Sequence, residues 1–233
     1  MSIGAKNHRI IAHDNPRSPI SESYRMLRTN IQFSSIDSPV RSILVTSPDP
    51  GAGKSTTCVN LAVTFAQEGR SVVIVDADMR SPTQHYYLMK SNRVGLSNTL
   101  AGQAPLRQCL LDTYIEHLTL LPAGSNPPNP AEMLSSNRMS QLLTELKEQF
   151  DIVIVDSPPV LAVTDAQVLA TKCDGVLIVL RSGKVKRKMA QKVIERLQYV
   201  NANIMGVLLN KIQPKKSDAV YSYYYAGEKS NRN

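Results

Sequence analysis

Short runs of consecutive apolar residues alternate along this chain with longer stretches in which apolar positions recur every three to four residues. From Ser42 onward the alternation is regular. Ser42–Ser47, Val72–Asp76, Leu118–Leu121, Ile152–Asp156, Gly175–Leu180 and Asn203–Leu209 read as strands. Runs such as Val72-Val73-Ile74-Val75 are apolar on both faces of the pleat, as in parallel sheets covered from both sides. Between them, Lys54–Gln67 (closed by Gly69) and roughly residues 138–150, 165–172 and 185–200 carry helical spacing. In the last of these Val185, Met189, Val193 and Leu197 share one face. The pattern predicts an α/β fold, a mainly parallel sheet flanked by helices on both faces, in a single domain.

Upstream, Ser18-Pro19 has the form of an N-cap followed by proline at the first helical position. Ile20, Tyr24, Leu27 and Ile31 then recur on one helical face, and Glu22, Arg25 and Arg28 fall together on an adjoining polar face. Residues 1–17 are polar and unpatterned and are expected to form a flexible N-terminal arm. Residues 18–213 form the expected domain. Residues 214–233, polar and rich in tyrosine, are expected to form a flexible tail.

Composition narrows the partners. Lys and Arg number 27 against 19 Asp and Glu, a net charge of +8, which suits phosphate, nucleic acid, an anionic membrane or an acidic peptide. Cys58, Cys109 and Cys173 lack metal or disulfide spacing and read as buried reduced thiols of a cytosolic protein. The stretch Met1–Asn15 has only the short apolar run Ile10-Ile11-Ala12, so no secretory leader is expected. Runs such as Val176–Leu180 are far too short to span a membrane.

The chemistry concentrates at strand ends. Ser47-Pro48-Asp49-Pro50-Gly51-Ala52-Gly53-Lys54-Ser55-Thr56 follows one strand and opens a helix, the setting of a phosphate-binding loop. Gly51, Ala52, Gly53 and Thr56 belong to its cradle, in which Gly51 and Gly53 let backbone N–H groups approach phosphates. Lys54 adds a point charge, and the Ser55 hydroxyl a ligand for Mg²⁺. The usual first glycine is Pro48 here. Two further strands end in carboxylates: Asp76-Ala77-Asp78-Met79-Arg80, and Asp156-Ser157-Pro158-Pro159. In a parallel sheet these ends share the edge that holds the loop. Three carboxylates there would repel one another unless a cation neutralised them, and Mg²⁺–nucleotide supplies one. Asn210 ends another strand at a place suited to base contact; Gln213 stands where a guanine reader would need Asp, so adenine, and hence ATP, is expected.

Tyr221, Tyr223, Tyr224 and Tyr225 crowd five residues of the tail, an exposed aromatic cluster more fitting for phosphorylation than for a core or for nucleic acid. At this point the chain resembles the bacterial tyrosine kinases of the phosphate-loop type. The form is the split one of low-GC Gram-positive bacteria, with the kinase separate from its membrane adaptor. The resemblance covers about residues 18–225. It rests on Glu22-x-x-Arg25-x-x-Arg28, Gly53-Lys54-Ser55, Asp76-x-Asp78-x-Arg80, Asn129-Pro130-Ala131-Glu132, Asp156-Ser157-Pro158-Pro159 and the tail tyrosines.

The resemblance implies ATP-dependent autophosphorylation of the tail tyrosines in trans, phosphorylation of other proteins, and a role in capsular or exopolysaccharide synthesis. It implies that Lys54 holds the β/γ-phosphates, that Ser55, Asp78 and Asp156 serve the metal, and that Asp76 or Asp78 takes the tyrosine proton. It further implies that Glu22, Arg25 and Arg28 form the contact between subunits of a ring, and that the cytoplasmic tail of a membrane adaptor recruits the chain and completes the site. No nucleic-acid partner is expected. The alternatives are a positioning ATPase of the chromosome-partitioning or division-site class and a non-catalytic nucleotide-binding regulator. The former would end in an amphipathic helix rather than a tyrosine cluster. Lys184, Lys186, Arg187 and Lys188 open a helix, where cations oppose the dipole. They read as a solubilising face, with an anionic partner as the other reading.

Overall fold

The computed structural model describes residues 8–34 and 39–212; the tail, with Tyr221, Tyr223, Tyr224 and Tyr225, lies outside the described residues. The strands are β1 Ser42–Thr46, β2 Val72–Asp76, β3 Leu111–Asp112, β4 Leu118–Leu121, β5 Ile152–Asp156, β6 Gly175–Arg181 and β7 Ile204–Asn210. They form one sheet in the order β3-β4-β2-β5-β1-β6-β7. All pairs are parallel except the short β3–β4 edge.

The strands are apolar on both faces because both faces are covered. Ile43 and Val45 of β1 point to one core and Leu44 to the other; Val72 and Ile74 of β2 oppose Val73 and Val75 in the same way. The first core is covered by α1 Ile11–Asp14, α2 Pro19–Phe33, α3 Lys54–Ala66 and α4 Gln84–Tyr87. The second lies under α5 Leu96–Leu100, α6 Leu106–Cys109, α7 Pro130–Ser135, α8 Asn137–Gln149, α9 Asp165–Ala170 and α10 Arg187–Tyr199. The three cysteines are free and buried. Among the described residues, no helix is long and apolar enough to cross a membrane.

Two expectations are corrected. The N-terminal arm is not unpatterned coil throughout, since Ile10 and Ala12 are buried in the first core and residues 11–14 form α1. The Ala12 N–H donates to Asn60 Oδ1 at 2.8 Å, and Gln67 Nε2 donates to the Ala12 carbonyl at 2.9 Å. A single helical turn holds too few residues to display a period, yet two buried side chains and two tethers to α3 suffice to dock it. In α2, Tyr24, Leu27 and Ile31 face the core as expected, but Ile20 is 57% exposed.

Candidate active site

β5 lies between β1 and β2, so the C-terminal ends of the three strands converge at the centre of one sheet edge. Asp76 and Asp156 are register partners across β2 and β5. The loop after β1 turns through Gly51 and Gly53, whose φ angles of 78° and 101° are open to glycine at little cost. A methyl group on Gly53 would lie 2.1 Å from Asn210 Nδ2, so the backbone is approached there as closely as a glycine permits.

Asn210, expected at the nucleotide base, meets the phosphate loop within the chain. Its Nδ2 donates to the Ala52 carbonyl at 2.9 Å, and its Oδ1 accepts the Lys211 N–H at 2.8 Å. Lys211 Nζ in turn donates to the Gly51 carbonyl at 2.9 Å. Both polar atoms of the carboxamide are thus engaged within the chain, and the end of β7 holds the phosphate loop from behind.

Lys54 opens α3 with its ammonium turned back into the site. Nζ lies 2.8 Å from Asp78 Oδ2 and 3.8 Å from Asp156 Oδ1. Burial disfavours the charged lysine, but the Asp156 and Asp78 carboxylates outweigh it and hold the Lys54 pKa above the usual lysine range. Asp76 is fully buried. Burial first, and then the Asp156 charge, push its carboxyl well above the usual carboxylate range; the backbone N–H groups of Gln84 and Thr83 pull against them without cancelling them. Those two groups donate to Asp76 Oδ2 at 2.9 and 3.0 Å. Oδ1 of Asp76 and Oδ1 of Asp156 are buried and have no hydrogen-bond partner among the described residues. Lys54 therefore pairs with Asp78 and Asp156 while Asp76 has no cationic partner among the described residues, and Asp76 and Asp156 each keep an unpartnered oxygen. That donor set fits a divalent cation, with Ser55, Asp78 and Asp156 the residues that would hold it.

Gln84 and Tyr87 escape a reading of the sequence, as does the partner of Arg80. Gln84, fully buried, donates from Nε2 to Asp156 Oδ2 at 2.8 Å and to the Ser55 carbonyl at 3.1 Å. The Tyr87 hydroxyl and Thr56 Oγ1 share a hydrogen bond of 2.7 Å, and burial raises the Tyr87 pKa. Arg80 forks onto the buried Asp165, Nε to Oδ2 at 3.0 Å and Nη2 to Oδ1 at 3.2 Å, which ties the segment after β2 to α9. Around these groups opens a cleft of about 510 Å³ whose walls include Lys54, Ser55, Asp78, Tyr87 and Pro158.

A family described as an AAA domain matches residues 40–210. The chain is 43% identical over 222 residues to tyrosine-protein kinase YwqD of Bacillus subtilis, covering 95% of this chain and 92% of that one. It belongs to the bacterial tyrosine-protein kinases. Tyrosine-protein kinase wzc of Salmonella typhimurium is 33% identical over 220 residues, which make up 94% of this chain but 31% of that much longer protein. Among solved structures, the chimerical protein CapA2B2 superposes with a TM-score of 0.85 at 41% identity, covering 88% of this chain and 90% of that one.

The Glu22, Arg25 and Arg28 face of this kinase is divided. Glu22 and Arg25 pair with each other at 2.5 Å on the open side of α2. Arg28 turns inward: Nη1 donates to the Thr64 carbonyl at 2.7 Å, and Nη2 meets Glu68 Oε1 at 2.9 Å. The face carrying the motif therefore has one residue that braces the far end of α3 and two half-buried residues paired with each other, Arg25 also donating from Nη2 to the Pro16 carbonyl.

Proposed function

We propose that this kinase phosphorylates the tail tyrosines Tyr221, Tyr223, Tyr224 and Tyr225 of a neighbouring copy and then tyrosines of other proteins, and so regulates capsular or exopolysaccharide synthesis. The observation that carries this reading is Lys54 set between Asp78 and Asp156 beside the raised carboxyl of Asp76, all at the mouth of the phosphate loop. ATP would supply the γ-phosphoryl group, and a Mg²⁺ ion held by Ser55, Asp78 and Asp156 would neutralise the charge that develops on it. The loop N–H groups and Lys54 bind and orient the phosphates. The tyrosine oxygen forms the new bond to phosphorus as the bond to the ADP oxygen breaks, and the hydroxyl proton passes to a carboxylate.

Asp76 is the better candidate for that base. Asp78 is already paired with Lys54 at 2.8 Å, whereas Asp76 has a raised pKa and a free Oδ1. Asp76 is fully buried and bound by the Thr83–Gln84 turn, so an incoming hydroxyl reaches it only once that turn gives way.

Glu22 and Arg25 serve the contact between subunits of a ring, with the cytoplasmic tail of a membrane adaptor recruiting the kinase to the inner face of the membrane. The division of the motif separates two effects. Arg25→Ala, which removes a surface i,i+3 pair and a bond to the Pro16 carbonyl, should yield a smaller species on a sizing column with a melting temperature lowered much less than that of Arg28→Ala. Arg28→Ala, which leaves the part-buried Thr64 carbonyl without its side-chain donor and Glu68 with Gln32 alone, should cost about 1.5–3 kcal/mol of stability. Equal melting temperatures for the two variants would contradict this division.

The reading as a whole is tested by incubating the purified chain with ATP and Mg²⁺, with and without the adaptor's cytoplasmic tail, and probing for phosphotyrosine. Phosphotyrosine that depends on ATP is expected. Its absence under both conditions would overturn the reading.

A further inference from the structure

We propose that the basic segment from Arg181 to Lys192 is the docking surface for the kinase's own tail once that tail is phosphorylated. The proposal rests on the reading of the tail tyrosines as acceptors.

Arg181, Lys184, Lys186, Arg187, Lys188 and Lys192 are all exposed or half-buried at the surface. Between residues 181 and 194 the chain has no Asp or Glu at all. Among the described residues, none of these six cations forms an ion pair or a side-chain hydrogen bond, although eight ion pairs exist elsewhere. A surface of one sign, left uncompensated by its own fold, is suited to an acidic partner.

The tail leaves the sheet beside that surface. Arg181 at the end of β6 is the register partner of Asn210 at the end of β7, and the Ser182 N–H donates to the Asn210 carbonyl at 2.9 Å. Tyr221 stands nine residues and Tyr225 thirteen residues beyond Ile212. A random coil of that many residues would span about 15–20 Å, at roughly 5–6 Å times the square root of the residue number. The acceptors therefore sample the basic segment of their own subunit at an effective concentration of about millimolar.

Charge decides when they stay. Residues 213–233 carry Lys215, Lys216, Lys229 and Arg232 against Asp218 and Glu228, so the unmodified tail is net positive and is repelled. Each phosphate adds about −1.5 to −2 charges and three strong acceptor oxygens. Modification of the four tyrosines reverses the sign of the tail, and charge-assisted hydrogen bonds from lysine and arginine then hold it. Capture on its own subunit would withdraw a finished tail from the neighbouring active site.

The test uses the full chain with Tyr221, Tyr223, Tyr224 and Tyr225 replaced by Phe, and fluorescent synthetic peptides of residues 213–233. The peptide bearing four phosphotyrosines should bind, more weakly as salt rises, and the unmodified peptide should not. Combining Lys184→Gln, Lys186→Gln, Arg187→Gln and Lys188→Gln should weaken phosphopeptide binding at least tenfold. Hydrogen exchange over residues 181–192 of the parent chain, slowed by the phosphopeptide alone, gives the same answer without that variant. Equal binding of both peptides, no effect of the four substitutions, or unchanged exchange would overturn the proposal. So would dependence on the four cations of binding to phosphatidylglycerol vesicles but not to the phosphopeptide, which would make the surface a membrane contact. Because these phosphates are synthetic, failure here leaves the acceptor reading intact; that reading fails separately if ATP places no phosphate on the natural tail.

Discussion

Lys54→Met should reduce tyrosine phosphorylation by about 10²- to 10³-fold, the usual consequence of removing one preorganised charge from a phosphoryl or oxyanion site. It should also destabilise the fold. The loop backbone does not need Lys54, since Asn210 and Lys211 hold the Ala52 and Gly51 carbonyls. The carboxylates do need it: the lysine ammonium lies 2.8 Å from Asp78 and 3.8 Å from Asp156, in a site where both acids are buried. Breaking a buried ion pair from one side costs about 3–5 kcal/mol. Thermal unfolding at pH 8, alongside a phosphotyrosine assay, checks both effects. A variant as stable as the parent at pH 8, or one with near-normal transfer, would remove Lys54 from its role.

Asp76→Asn should have the opposite effect on stability and the same effect on activity. The folded Asp76 carboxyl has a pKa well above that of the unfolded chain, so the native state binds its proton more tightly. The resulting contribution is fully present at low pH and is lost as pH rises from the unfolded carboxylate range through the raised folded value. Above that window wild-type carries an unfavourable buried charge, which costs about 1.4 kcal/mol for every tenfold by which folding tightens proton binding. Asparagine still accepts from the Thr83 and Gln84 N–H groups and places a donor where Asp76 Oδ1 has no partner. The variant should therefore melt higher than wild-type at pH 8 and nearly with it near pH 4. It should bind nucleotide and fail to transfer phosphate. A lower melting temperature at pH 8, or unchanged turnover, would contradict this assignment.

Much of the site is written at the ends of apolar runs. Val72–Val75 and Ile152–Val155 each close on an aspartate, and a parallel sheet brings such ends to the edge that holds the loop. Where the reading falls short, the reason is tertiary. Gln84 sits in a stretch, Ser81 to Gln84, with no apolar spacing, and its amide meets Asp156 only because α4 folds back over the edge. The helices α4 to α7 run to four to six residues each, too short for a helical period to show. Helical geometry alone puts Arg28 on a polar face, but the partner it finds is a carbonyl on α3, visible only once α2 has packed there. Asn210 is legible as the end of a strand, while its hold on Ala52 depends on β7 lying two places from β1 in the sheet.

Transfer between subunits can be read directly by mixing two full chains, each unable to phosphorylate itself. One carries Asp76→Asn with its natural tail; the other keeps Asp76 but has Phe at positions 221, 223, 224 and 225. After addition of ATP and Mg²⁺, mass spectrometry should find phosphate on Tyr221 and Tyr223–Tyr225 of the Asp76→Asn chain in the mixture and on neither chain alone. An unmodified tail in the mixture, or one modified equally without the second chain, would contradict transfer in trans through this site.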